Sequence, residues 1–330
     1  MRGADLSRIF DMADPAARAA GMAAAVAALR AGRLVGMPTE TVYGLAADAT
    51  NPEAVAGIFL AKGRPRFNPL IVHVPDLAAA ESIALFSGNA LRLAEAFWPG
   101  PLTLVLPKRP EAGIADLVTA GLETIAIRVP AHSTAQELLS ASGLPLAAPS
   151  ANLSGHVSPT TAAHVAADLG DKVDVILDAG PTSIGLESTI VGFDPGRALL
   201  LRSGGLDRTA VEEALGEPLI TPQMEPDVPL APGMLASHYA PSASLRLDVS
   251  DVRPGEALIA FGSALPPGAE GAVAIQNLSK SGDTIEAAGK LFAALRALDR
   301  QATAIAVMPI PEHGLGEAIN DRLRRAAAPR

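Results

Sequence analysis

The stretch Pro38-Thr-Glu-Thr-Val-Tyr-Gly-Leu-Ala-Ala-Asp48 sets hydroxyls at Thr39, Thr41 and Tyr43 and a carboxylate at Glu40 directly after an apolar run, Arg33 to Met37. Polar groups at the carboxyl end of a strand commonly line a ligand crevice in α/β folds. The same residues would also suit a β-turn whose hydroxyls satisfy local backbone groups. A second stretch, Lys62-Gly-Arg-Pro-Arg-Phe-Asn-Pro-Leu-Ile-Val-His73, concentrates cations at Lys62, Arg64 and Arg66 in a chain with only five lysines. At the end of a helix such cations complement its dipole. They would equally clamp a polyphosphate, arginine through paired bonds and lysine as a point charge. His73 closes the strand that follows.

A third stretch, Ala147 to Thr160, is made of small residues with hydroxyls at Ser150, Ser154 and Ser158. Small side chains let backbone N–H groups approach an anion closely. Ser158-Pro159 also fits a helix N-cap followed by proline. Thr124 and Arg128 flank an alternating strand, and an inward Arg128 requires an anionic partner. Glu187-Ser188-Thr189 and Leu201-Arg202-Ser203-Gly204-Gly205 complete a set that together describes an anion-binding pocket. The phosphate-loop, dinucleotide, H-x-x-x-H zinc and G-x-S-x-G signatures are all absent, so a nucleotide site must be built in another way.

The elements that must carry these residues alternate. Asp14-Pro15 and Asn51-Pro52 read as N-caps with proline at the first helical position, leading helices to Arg30 and about Ala61. Strands are expected at Leu70 to Val74, Leu102 to Leu106, Ile125 to Val129, Val173 to Leu177 and Thr189 to Phe193. Helices are expected at Asp76 to Leu85, Asn89 to Phe97 and Thr160 to Leu169. Prolines 222, 226, 229, 232 and 241 then break the chain, in a segment that also holds Met234, His238 and Tyr239. Beyond it, strands at Leu245 to Val249, Ala257 to Phe261, Gly271 to Ile275 and Ile305 to Met308 combine with helices at Asp283 to Leu298 and Gly316 to Ala327. The reading is an α/β fold with helices packed on a sheet. It divides into a domain at 1–215, a proline-rich linker at 216–242 and a small α/β domain at 243–330.

Composition narrows the function. The 330 residues are 49% hydrophobic with a net charge of −9, which permits a large core and disfavours a broad nucleic-acid-binding face. Direct nucleic-acid binding is expected to be weak at most. With no cysteine, disulfides, thiolate metal sites and a cysteine nucleophile are excluded. Neither an apolar leader nor a membrane-length apolar stretch is present, so a cytoplasmic protein is expected.

Taken in order, Pro38 to Asp48, Lys62 to His73, Trp98 to Thr103, Thr124 to Pro130, Pro149 to Thr160, Ser188 to Val191 and Leu201 to Gly205 resemble the threonylcarbamoyl-AMP synthase family, the YrdC-like enzymes. Ala231 to Pro241 and Gly314 to Leu323 resemble its long, two-domain form. The resemblance implies a YrdC-like twisted sheet with a smaller, Rossmann-like C-terminal domain. It implies a nucleotidyltransferase that condenses L-threonine, bicarbonate and ATP into threonylcarbamoyl-AMP, releasing pyrophosphate, for the threonylcarbamoyl modification of tRNA. Mg2+ would come with ATP and no protein metal site is expected; the product would pass to a tRNA threonylcarbamoyl transferase. By the same resemblance Thr41, His73, Arg128, Ala148 and Ser188 would hold threonine. Arg64, Asn68, Thr124, Ser150, Ser158, Arg202 and Tyr239 would hold ATP, with Lys62 and Arg64 as the catalytic cations. The linker would close over the substrates. Hydrogenase-maturation carbamoyltransferases share such a domain, but their cysteine-rich zinc modules have no counterpart here.

Overall fold

The computed structural model describes residues 8–65, 67–194, 197–222 and 239–329. The chain begins β1 (Ile9–Asp11), α1 (Pro15–Arg30), β2 (Val35–Met37), β3 (Gly44–Asp48), α2 (Pro52–Lys62), β4 (Ile71–His73), α3 (Leu77–Glu81), α4 (Gly88–Phe97) and β5 (Leu102–Pro107). It continues through α5 (Asp116–Thr119), β6 (Thr124–Arg128), α6 (Ser133–Ser142), β7 (Leu146–Ala147), α7 (Ala162–Leu169), β8 (Val175–Asp178), β9 (Thr189–Asp194), β10 (Arg197–Arg202) and α8 (Arg208–Leu215). Then come β11 (Ser244–Arg246), β12 (Ala257–Ala260), β13 (Ile275–Asn277), α9 (Thr284–Asp299), β14 (Ala304–Val307) and α10 (Gly316–Ala327).

Local chemistry explains the helix starts. Asp14 accepts from the Ala16 N–H at 3.2 Å, and Asn51 from those of Glu53 and Ala54 at 3.0 and 3.2 Å. Each such cap contributes about 1 kcal/mol. Other expectations yield to pairing. The helix expected over Asp76 to Leu85 stops at Glu81, because Ala84 bridges Lys108 and the Leu85 N–H donates to Pro107 O at 2.9 Å. Ser158 caps nothing; Thr161 caps α7, accepting from the His164 N–H. The strand expected at Gly271 to Ile275 begins only at Ile275, where pairing with Leu258 starts.

Among the described residues a ten-stranded mixed sheet runs β1-β8-β2-β3-β7-β4-β6-β5-β9-β10, and a four-stranded parallel sheet runs β11-β14-β12-β13. Leu45, Val72, Leu104, Ile127 and Val191 bury one face of the large sheet with residues of α2 and α4. On the opposite face Met37, Ala46 and Leu146 pack against Leu29 of α1 and Leu138 of α6. Further along that face lies only a small apolar set, Ile71, Val105, Ala126, Ile190 and Leu201.

The two sheets share a core. Val42, Val157 and Leu186 pack with Tyr239, Phe292, Leu315 and Ile319. Gly185, at φ +79°, permits this approach: a Cβ there would sit 2.5 Å from Ala288 O and 2.6 Å from Gly289 Cα of α9.

Candidate active site

Strand ends gather the polar residues. β4 and β6 are parallel with His73 opposite Arg128 in register, so both side chains leave the same edge of the same face. Thr39 to Thr41 follow β2, Ala148 to Ser150 follow β7, Ser188 precedes β9 and Arg202 ends β10. Thr41, Arg64, His73, Arg128, Ala148, Ser150, Ser188, Arg202 and Tyr239 all line one narrow cavity, with Ile71 among its apolar lining.

Arg128 is held from three sides. Its Nε donates to Gly100 O at 3.1 Å, its Nη1 to Thr41 Oγ1 at 2.8 Å, and Nη2 forms a 2.7 Å ion pair with Glu40 Oε1. Beyond this ion pair, buried Nη2 and Glu40 Oε2 have no hydrogen-bond partner among the described residues. Burial alone would raise the Glu40 carboxyl. The charge of Arg128 and the Ala131 N–H, which donates at 3.1 Å, outweigh it and hold the pKa below the usual carboxylate range. Thr39 Oγ1 donates to Val42 O at 2.6 Å. The Thr41 hydroxyl, 2.9 Å from Thr39 Oγ1, therefore donates to it while accepting from Arg128. His73 is pushed down to about 3, first by burial and then by Arg128, so its imidazole is neutral; Nδ1 is buried without a partner among the described residues.

Two more guanidiniums line the cavity. Arg64 donates from Nε to Asn68 O at 3.3 Å and from Nη2 to Pro69 O at 2.9 Å. Arg202 donates from Nη2 to Ser188 O and Ser188 Oγ at 2.8 and 3.1 Å. Burial pulls Arg64 down to about 10, with Arg202 adding to it, so it stays cationic at neutral pH. Burial is likewise the leading cause that lowers Arg202. Ser188 Oγ also meets Thr103 Oγ1 at 2.7 Å. Gly204 allows this corner to close, since a Cβ would stand 2.4 Å from Glu187 O.

Four expected residues lie off the cavity wall. Lys62 is buried and its Nζ donates to Ser150 O and Asn152 O at 2.5 Å each. Expected at the phosphates, it ties down the small-residue loop instead. Ser158 Oγ donates to Glu187 Oε1 at 2.5 Å, so Ser158 stands behind Glu187, which does line the cavity. Asn68 is buried beside Arg64, offering its main-chain carbonyl. Thr124 shares the Arg128 face but lies at the other end of β6, beyond Ala126. Tyr43, from the first motif, sends its hydroxyl to Gly180 O at 2.7 Å, away from the cavity. Of the linker, Ala231 to His238 lie outside the described residues, as does Arg66. Tyr239 is described and is buried against Phe292, ring centroids 5.6 Å apart.

Comparison with known proteins bears on this arrangement. A family model described as "Telomere recombination" matches residues 27–204, and one described as "Threonylcarbamoyl-AMP synthase, C-terminal domain" matches residues 206–328. The threonylcarbamoyl-AMP synthase of Pyrococcus abyssi is 42% identical over 313 residues, 91% of this chain and 92% of that one. The chain belongs to the threonylcarbamoyl-AMP synthase family. The family's Bacillus subtilis member is 40% identical over 324 residues, 94% of this chain and 93% of its own. A crystal structure of P. abyssi Sua5 complexed with L-threonine superposes with a TM-score of 0.84 at 40% identity, covering 93% of this chain and 94% of that one.

Membership of the threonylcarbamoyl-AMP synthase family makes the chain a nucleotidyl-transferring enzyme. Among its described residues no three His, Asp or Glu side chains group to hold a metal, and no helix is long and apolar enough to cross a membrane. Glu187, the cavity's other buried carboxylate, already accepts from Ser158 and Arg322. In the sequence Glu187 figures only as a member of the anion-binding set, and the apolar floor leaves no local signature. The run Gly314 to Leu323 was visible, but nothing in it marked which side chain would reach the cavity.

Proposed function

We propose that the chain condenses L-threonine, bicarbonate and ATP into threonylcarbamoyl-AMP and pyrophosphate. The observation that carries this is the convergence of three buried guanidiniums, Arg64, Arg128 and Arg202, on one cavity beside the neutral His73. Such a set suits an amino-acid carboxylate and a polyphosphate held together.

In this reading Thr41, His73, Arg128, the backbone of Ala148, and Ser188 hold threonine. Arg64, Ser150, Arg202 and Tyr239 hold the nucleotide directly, and the apolar floor toward Thr124 receives its uncharged part. Asn68 positions Arg64, Ser158 positions Glu187 and Lys62 positions Ser150. The threonine amine adds to the bicarbonate carbon, losing water and leaving a carbamate. A carbamate oxygen then attacks the α-phosphorus of MgATP, and the bond to pyrophosphate breaks. Both reactants are anions, so Arg64 and Arg202 offset their repulsion, and catalysis is positioning and electrostatics. Tyr239 and the linker exclude water from the labile carbamate. The product passes to a tRNA threonylcarbamoyl transferase in the cytoplasm, and direct contact with tRNA is weak at most.

The test is pyrophosphate release with MgATP, omitting threonine or bicarbonate in turn. Release that requires both, with a threonylcarbamoyl-AMP mass in the quenched mixture, is the expected result. Release indifferent to both, or none from folded protein, would overturn the reading.

A further inference from the structure

The side chain of Arg322 is fully buried, yet it comes from α10 of the smaller sheet's unit and reaches the wall of the cavity. Its Nε donates to Glu187 Oε2 at 2.9 Å, its Nη2 to Ser203 O at 3.0 Å and its Nη1 to Asp321 Oδ2 at 2.6 Å. Its guanidinium also lies 5.0 Å from the centroid of the Tyr239 ring. From α9, Arg296 clasps both oxygens of Asp168 at 2.9 and 2.6 Å and donates to Val157 O and Ser158 O. The hydroxyl of that same Ser158 holds the other oxygen of Glu187. Two arginines of the C-terminal unit thus bracket one pocket carboxylate, one directly and one through Ser158.

A buried carboxylate in a pocket for anions is costly unless its charge is matched. Without a partner from α10, Glu187 would draw on Arg202, whose guanidinium feels its charge and sits on the adjacent Ser188. Tyr239 supports the same point. It holds a left-handed backbone, φ +62°, which a non-glycine residue keeps only when its surroundings enforce it. Those surroundings include Phe292 and Arg322.

We propose that Arg322 is a positioning residue of the active site: it neutralises Glu187 so that Arg202 stays directed at the nucleotide, and it seats Tyr239. The C-terminal unit is then part of the catalytic wall. This rests on the synthase reading above, and wild-type turnover in the same assay separates the two. If wild-type protein makes no threonylcarbamoyl-AMP, the reading itself fails; the inference is judged only against an active wild type.

The test compares Arg322→Met, Glu187→Gln and the double variant, full-length, for kcat/KM on ATP from pH 6 to 8.5, each divided by wild type at the same pH. Losing a hydrogen bond to a charged group typically costs about 10–100-fold, and Arg322→Met is expected to fall in that range at pH 8. Its deficit should shrink toward pH 6, where protonation of Glu187, which has lost its partner from α10, releases Arg202. The double variant should recover at least half of the loss on a logarithmic scale, with no such pH trend. Arg322→Met with wild-type kcat/KM would overturn the proposal. So would a double variant no better than the single one, with a flat ratio across pH, which is the signature of a merely structural residue. Should Arg322→Met not fold, Arg322→Lys replaces it. That variant keeps the charge on Glu187 but loses the fork, and it should raise ATP KM more than it lowers kcat; unchanged kinetics there would also overturn the proposal.

Discussion

Replacing Arg128 by lysine keeps a cation beside Glu40 but removes the fork. Arginine offers five N–H groups, and two are committed to protein acceptors, Gly100 O and Thr41 Oγ1. Those remaining on the Nη atoms can give a carboxylate two parallel bonds; a lysine ammonium at the same place reaches it with one. Hydrogen bonds to charged groups contribute about 1.5–3 kcal/mol, so losing one should raise threonine KM by roughly 10–100-fold. Glu40 stays compensated, so the fold should survive, and ATP KM should move by less than about threefold because Arg64 and Arg202 are untouched. The assay is pyrophosphate release with one substrate varied at saturating levels of the others, alongside circular dichroism to show that the protein is folded. A threonine KM within threefold of wild type, or an equal rise in ATP KM, would refute the assignment of Arg128 to the amino-acid carboxylate.

Three further outcomes follow from other parts of the site. His73 titrates at about 3 when folded and near 6.5 when unfolded, so below pH 6.5 the unfolded chain binds the extra proton and stability falls with pH. Urea denaturation should show His73→Asn gaining about 2 kcal/mol relative to wild type between pH 7 and pH 5; parallel losses would count against the buried neutral imidazole. Tyr239→Ala should weaken nucleotide binding by roughly 2–10-fold, since the ring packs on Phe292 and under Arg322 and offers the ligand its edge and hydroxyl, a contact worth about 0.5–1.5 kcal/mol; unchanged affinity and turnover, by calorimetry and kinetics, would remove Tyr239 from the nucleotide site. Chelating magnesium should abolish pyrophosphate release yet leave threonine binding intact by calorimetry, and loss of both together would point to a metal held by the protein.

Much of this molecule was legible in its residues because much of it is local. Asp14-Pro15 and Asn51-Pro52 cap their helices through bonds that span two or three residues, so neighbours in sequence suffice to read them. The polar run after β2 was visible because a strand ends where its apolar pattern does. Arg128 was recognisable as needing an anion, and the structure supplies Glu40 as its standing partner. What stayed hidden depends on which groups meet in space. Lys62 looked like a free phosphate cation, but only folding brings its ammonium onto two carbonyls 88 and 90 residues away. Ser158 suited a cap by its neighbours, yet Glu187, 29 residues on, took its hydroxyl. Arg322 and Glu187 are 135 residues apart and belong to different sheets' units, and no local pattern encodes their pairing. Composition, capping and periodicity determined the α/β elements and the residues able to bind anions; burial and long-range pairing decided which of those charges face the ligand and which hold the wall that faces it.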